Sequence, residues 1–315
     1  MRAYSDPCFD ELLSNRRNQL RRPPPGVSLS DVRAAAAAFL CGSSGPSLAS
    51  VENLCIPGPD GAHLRLRLYR PVVGNELPAV LFCHGGGFVF GDLDTHDAMC
   101  RELARHGECV VVAVEYRLAP EWKFPAAIQD CMAAAEHLAA NPQSLGIRPD
   151  ALAIAGDSAG AHIAIGTVLS LKDRPWSFQH AALLYPVVDP SCNSQSMKRL
   201  GEGLMLTREA MQWFWECYLP DSETSDARAA VLSADLREFP STTIVTADCD
   251  PLLDEGVALI ARLRAAEVSV RVHRFAGMIH GFAALTHITP KARQALEAMG
   301  LSLKEAFLQQ TGSCK

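Results

Sequence analysis

The stretch ALAIAGDSAGAHIAIG, residues 151–166, decides how the chain folds. Ala151 to Ala155 is a continuous apolar run of strand length, and Ala159 onward is rich in alanine and isoleucine, as a buried helix is. Between them Gly156-Asp157-Ser158-Ala159-Gly160 has the form G-x-S-x-G. If a buried strand runs directly into a helix here, the turn is sharp, and Gly156 and Gly160 are required because larger side chains would collide. Such a turn exposes Ser158 at its tip, the nucleophile-elbow geometry. The pattern is short enough to arise by chance, so the neighbouring sequence has to decide between a nucleophile and a serine in a glycine-flanked turn.

From residue 63 the chain alternates apolar runs with helical stretches. His63 to Arg70 alternates leucine with polar residues, as a strand with one buried face does. Apolar runs near 79–83, 109–114, 151–155, 181–187, 242–247 and 269–274 predict further strands. Helical patterns fall near 95–106, 126–140, 159–172, 253–265 and 291–308. Runs buried on both sides and separated by helices predict an α/β fold, a mostly parallel central sheet flanked by helices. Such sheets hold their ligands at the carboxyl ends of the strands.

Two segments depart from the alternation. Residues 1–50 predict a helical appendage: a helix from Phe9 to Leu20, a proline turn at Pro23-Pro24-Pro25-Gly26, and a helix from Val32 to Leu40. Residues 189–226 interrupt the catalytic unit, expected over 51–188 and 227–315, and crowd Trp213, Phe214, Trp215 and Tyr218 together. This insertion reads either as a core-packing helix or as a second cap segment that joins the first over the strand ends.

A serine hydroxyl is a poor nucleophile at neutral pH and needs a base within hydrogen-bond reach, oriented by a carboxylate. Both are available downstream. The run Ile244 to Ala247 leads into Asp248-Cys249-Asp250-Pro251, where the proline biases Asp250 toward an extended strand terminus. The run Val270 to Phe275 leads into Gly277-Met278-Ile279-His280-Gly281, which places His280 in a loop able to reach the serine. His162, one turn past Ser158, reads as a packing or locally bonded residue, and His273 falls inside a strand. A cation loop around Asp248, Asp250 and Asp254 fails at Leu252 and Leu253. Upstream, Leu81-Phe82-Cys83 runs into His84-Gly85-Gly86-Gly87-Phe88, whose glycines let backbone N–H groups turn toward a ligand. A dinucleotide fingerprint would require glycine at Phe90, and no G-K-[ST] occurs, so no nucleotide cofactor is expected.

Five motifs in order, His84-Gly85-Gly86-Gly87, Tyr116 to Glu121, Gly156 to Gly160, Asp250 to Gly256 and His280-Gly281-Phe282, resemble the hormone-sensitive-lipase-like (family IV) carboxylesterases of the α/β-hydrolase fold. The resemblance covers roughly residues 50–310. It implies Ser158 as nucleophile, His280 as general base and then acid, and Asp250 as the orienting carboxylate. It further implies oxyanion-hole N–H groups from Gly86, Gly87 and Ala159, and structural roles for His84 and for Tyr116 to Glu121. The stretch Gly91 to Asp97 resembles the family's helix lead-in, with Asp94 or Thr95 as N-cap, and implies no metal. The chain departs from the family at Ala161-His162, where members often have Gly-Asn, and at Cys249, a thiol expected to make activity sensitive to thiol reagents.

The expected substrate is a small-molecule ester of short or medium acyl chain, because Phe88, Phe90, Trp213, Phe214, Trp215 and Tyr218 would form a bulky wall, with Phe88, Trp213 and Phe214 against the substrate. An amidase using the same triad, or a non-catalytic receptor of the same fold, is the alternative; His280 argues against the receptor. The resemblance implies a homodimer through the last strand and helix and leaves a monomer open. The formal charge of −6 over 315 residues gives no basic face for nucleic acid or membrane, and Arg16, Arg17, Arg21 and Arg22 read as a solvated cluster. Eleven cysteines without a C-x-x-C pair read as reduced core residues. With no secretory leader pattern and no apolar run of membrane-spanning length, a cytoplasmic protein is expected.

Overall fold

In the computed structural model, which describes residues 5–42, 44–74, 76–220 and 225–311, one eight-stranded sheet carries the molecule. Its strands are β1 (Ser50–Pro57), β2 (His63–Arg70), β3 (Leu77–Cys83), β4 (Val110–Val114), β5 (Ile147–Asp157), β6 (His180–Leu184), β7 (Ser241–Cys249) and β8 (Val270–Ile279). They run in the order β1-β2-β4-β3-β5-β6-β7-β8. The β1/β2 and β2/β4 pairs are antiparallel and all others parallel. The sheet is thus mostly parallel, as expected.

Alternate residues of the central strands feed two separate cores, one on each face. Ala79, Leu81 and Cys83 point to one side with Val110, Val112 and Val114. Val80 and Phe82 point to the other with Val111 and Ala113. Helices α4 (Ala126–Ala140), α5 (Ala159–Leu171) and α8 (Leu253–Ala265) cover the first face, and α3 (Asp97–Gly107) and α9 (Pro290–Thr311) the second. Continuous apolar runs in the sequence are explained by this double coverage.

Three expectations are corrected in detail, and one strand is new. The first strand, β1, was not anticipated: it is a half-exposed edge strand whose short apolar content carries no clear alternation. The helix expected from Phe9 to Leu20 is only α1 (Asp10–Ser14) and a 3₁₀ turn at Arg16–Asn18. Asn15 is extended, and the Asn18 side-chain amide donates to Leu12 O, so the helix stops early. The second N-terminal helix, α2 (Leu29–Leu40), begins three residues before Val32, because Ser28 and Asp31 close a reciprocal capping box. Neither Asp94 nor Thr95 caps α3. The Thr95 hydroxyl accepts from Asp92 N–H and donates to Asp92 O, which consumes it in a turn ahead of the helix.

The insertion contains α6 (Gln195–Leu200) and α7 (Arg208–Tyr218); its residues 221–224 lie outside the described ones. It is stitched to the N-terminal segment. Leu20 and Leu206 form a parallel β-bridge, Leu20 N–H donates to Met205 O at 2.7 Å, and the Thr207 hydroxyl donates to Leu20 O at 2.7 Å. Of the cysteines, Cys8, Cys41 and Cys55 are exposed rather than core, seven others are buried, and Cys314 lies outside the described residues. Among the described residues no helix is long and apolar enough to cross a membrane.

Candidate active site

Strand β5 ends at Asp157 and α5 begins at Ala159, leaving one residue for the turn. Ser158 makes that turn at φ 52° and ψ −120°. The two flanking glycines are enforced by contact. A Cβ on Gly156 would lie 2.5 Å from Gly160 O, and one on Gly160 would lie 2.0 Å from Cys83 O. The elbow is fixed from the next strand as well, since Ser158 N–H donates to Leu184 O at 2.9 Å.

The Ser158 hydroxyl lies 2.8 Å from His280 Nε2. His280 follows β8, and its Nδ1 lies 2.8 Å from Asp250 Oδ2, just past the end of β7. The other Asp250 oxygen accepts from Leu252 N–H at 2.8 Å. All three side chains are buried, Ser158 retaining 8% exposure. Tyr185 packs edge-on against the imidazole with ring centres 4.9 Å apart. The competing acids are engaged elsewhere: Asp248 pairs with Arg274, and Asp254 accepts from Ser196 N–H. His162 is buried, with Nδ1 3.1 Å from Val187 O, and burial lowers it to about 4, so its ring is neutral.

Facing Ser158, the glycine loop after β3 turns at Gly86 (φ 125°) and Gly87 (φ 58°). A Cβ on Gly86 would meet Phe90 O at 2.0 Å, and one on Gly87 would meet the Phe214 ring at 2.6 Å. Ala159, as the first residue of α5, has an N–H that the helix itself cannot satisfy. His84 holds the loop: its Nδ1 lies 2.8 Å from Gly85 O, while the Tyr116 hydroxyl donates to His84 O at 2.6 Å. Burial, with His96 nearby, lowers His84 to about 4.

Asp157, beside the serine, is a residue the sequence reading passed over. Its Oδ1 accepts from Gly85 N–H at 2.7 Å and lies 3.4 Å from His96 Nε2. Burial alone would raise its carboxyl, but His96 and the Gly85 N–H outweigh burial and hold it below the usual range. The variable position of G-x-S-x-G therefore clamps the glycine loop to the elbow.

These groups open on a small chamber of about 50 Å³ lined by Gly86, Gly87, Ser158, His280 and Phe214, and roofed by Leu20, Leu40, Met205 and Met211. Residues of both stretches, 1–50 and 189–226, thus line the chamber together with the serine. Of the aromatic residues expected there, Phe214 and Phe90 line the chamber. Phe88 instead lies buried behind it, stacked on Tyr218 at 3.9 Å and edge-on to His162, while Trp213 leans on Phe214 from outside. Leu20, Leu40 and Met205 had no distinguishing signal in the sequence, because their place depends on how two distant segments pair. Cys249 is buried, and burial raises its thiol; both slow the reaction with thiol reagents that was expected of it.

Serine, imidazole and carboxylate in series at a strand-to-helix elbow, on a mostly parallel sheet, define an α/β-hydrolase site. The sequence profile of the α/β-hydrolase fold matches residues 80–284, and the chain belongs to that family, in its hormone-sensitive-lipase-like branch. Its relatives include an ethyl acetate hydrolase of Pseudomonas putida, 34% identical over 253 residues that cover 78% of this chain and 80% of that protein. A carboxylesterase of Mycobacterium tuberculosis is 36% identical over 260 residues, covering 79% and 81%. A hyperthermophilic esterase from the archaeon Pyrobaculum calidifontis superposes with a TM-score of 0.89 at 35% identity, covering 96% of this chain and 98% of that one.

Proposed function

We propose that the protein is a serine carboxylesterase that hydrolyses small-molecule esters of short to medium acyl chain through an acyl-enzyme on Ser158. The observation that carries this reading is the continuous relay from Ser158 Oγ to His280 Nε2 and from His280 Nδ1 to Asp250, with 2.8 Å at each link. Ser158 attacks the ester carbonyl as His280 takes its proton. The carbonyl oxygen, now an oxyanion, is received by the N–H groups of Gly86, Gly87 and Ala159. Collapse breaks the bond to the alcohol oxygen, which leaves with the proton from His280. Water then attacks the acyl carbon, gives its proton to the same imidazole, and releases the acid and free serine. Asp250 fixes the ring so that Nε2 faces the serine and stabilises the imidazolium. Each oxyanion donor is worth about 10²–10³ in kcat.

The N-terminal segment over 1–50 and the insertion over 189–226 act as one cap, which the Leu20–Leu206 bridge supports. The small chamber supports a preference for short acyl groups. A homodimer through β8 and α9 belongs to the same reading, supported by the place of β8 at the sheet edge; sedimentation velocity showing only monomer would remove it. A cytoplasmic location is likewise proposed, and would be withdrawn if cell fractionation recovered the protein outside the cytoplasm. The test of function is hydrolysis of p-nitrophenyl esters from acetate to dodecanoate by wild type and Ser158→Ala. Activity highest on short chains, and lower by a factor on the order of 10⁶ in the variant, is expected. An unchanged variant, or activity rising toward dodecanoate, contradicts the reading.

A further inference from the structure

The catalytic chamber is too small to hold a whole substrate, and a groove of about 510 Å³ adjoins it. Leu20, Leu40, Phe90 and Met205 line both spaces. The groove lies between the N-terminal segment and α2, and its interior is apolar, with Val27, Val32 and Phe39 along it. A cavity of this size and character accommodates a hydrocarbon or aromatic body.

Its mouth is cationic. Arg16, Arg21 and Arg22 stand there, with Asp31 as the one acid among the residues that line it. Arg22 is already paired with Glu216, and Asp31 has its carboxylate committed to the Ser28 N–H and hydroxyl. Among the described residues Arg21 donates only to the neutral side-chain oxygen of Gln19, through Nε at 3.2 Å and Nη2 at 2.5 Å. Arg16 meets no carboxylate among the described residues. Two guanidinium groups that meet no carboxylate among the described residues thus line an apolar groove that adjoins the Ser158 chamber, and a guanidinium fork matches a carboxylate best.

The orientation of the ester follows from Met205. It is common to chamber and groove and faces Gly281, whose Cβ would lie 3.3 Å from Met205 Cε. Gly281 follows His280, so the Met205 part of the wall shared by chamber and groove lies on the histidine side of the serine, while Phe90, also shared, adjoins Gly86. The departing oxygen must lie beside His280 Nε2 to receive its proton, so the alcohol half of the ester enters the groove. On the other side, one turn along α5, His162 packs edge-on to Phe88 and Trp215, and Phe88 stacks on Tyr218. That block lies behind the chamber, and the chamber's own volume of about 50 Å³ limits the acyl half to a short chain.

Resting on the esterase reading, we propose that the preferred substrates are short-acyl esters of alcohols with an apolar body and a terminal carboxylate, the body in the groove and the carboxylate on Arg16 and Arg21. The matched probes are 8-acetoxyoctanoate and octyl acetate, both below their solubility limits, with release of acetate measured for the full chain. The carboxylate ester is expected to show about tenfold higher kcat/KM, the scale of one partly exposed charge-assisted contact. That ratio should fall toward one in Arg16→Gln/Arg21→Gln and in high salt, and be largely kept in Arg16→Lys/Arg21→Lys. A wild-type ratio of one or less overturns the inference, as does a ratio that survives in the glutamine variant. Failure of the underlying reading looks different: p-nitrophenyl acetate would not be hydrolysed by wild type at all.

Discussion

Ser158 occupies a backbone conformation, φ 52°, that costs a non-glycine residue about 1–3 kcal/mol. It persists because Gly156 and Gly160 leave no other path for the chain and Leu184 O holds its N–H. The three residues of the relay were legible individually, since each needs a particular chemistry at a particular strand end. Phe88 and Trp213 were placed against the substrate on their size alone, and size does not fix which way a ring points. His162 illustrates the same limit: its identity departs from the family, but its fit edge-on to Phe88, Trp215 and Tyr218 is a property of the packed core. It also makes a testable contribution to stability. Burial lowers it from 6.5 to about 4, so between those values the unfolded chain binds a proton that the folded one refuses. Its contribution is therefore complete above pH 6.5 and is lost as the pH falls toward 4. His162→Asn, which keeps a donor for Val187 O, should flatten the fall of melting temperature across that window. Parallel curves for the two proteins would show that the residue does not titrate as described.

Among the elements, α7 and the Leu20 strand segment bear most directly on function, because together they roof the chamber. Thr207 joins them: buried, it accepts from Ala210 N–H at 3.1 Å as the N-cap of α7 and donates to Leu20 O at 2.7 Å. Thr207→Val preserves the shape and deletes both bonds, which should cost about 1–2 kcal/mol of stability. It should also lower kcat/KM on p-nitrophenyl butyrate through a looser roof, and Thr207→Ser should restore both. Normal stability and activity in the valine variant would show that the two segments are held without this contact. The central strands were legible because burial on both faces leaves an uninterrupted apolar run. The edge strand β1 was not, because half of its residues face solvent and hydrogen bonding to β2 defines it. The early end of α1 was hidden for a related reason: the Asn18 amide competes for a helix carbonyl, a contact that propensity does not register.

Across the whole molecule, the sheet brings together residues far apart in the chain, such as Ser158 and His280 at a sequence separation of 122. Alternating strands and helices are enough to anticipate a parallel sheet and a site at its carboxyl edge. They do not anticipate that Leu20 and Leu206, 186 positions apart in the sequence, pair beside the chamber over the serine, or that Leu20 also lines the wide groove next to it. Substrate size and charge therefore had to be read from the assembled structure, whereas the reaction class could be read from motifs.

The central claim, that Ser158 is the activated nucleophile of this relay, is tested most directly with diethyl p-nitrophenyl phosphate. Attack by Ser158 Oγ forms an oxygen–phosphorus bond and expels p-nitrophenolate, leaving a stable adduct. One equivalent of p-nitrophenol per chain should appear, with loss of esterase activity and a diethylphosphoryl group mapped by mass spectrometry to Ser158. No adduct should form in Ser158→Ala. An adduct on another residue, or full esterase activity in the alanine variant, would contradict the account.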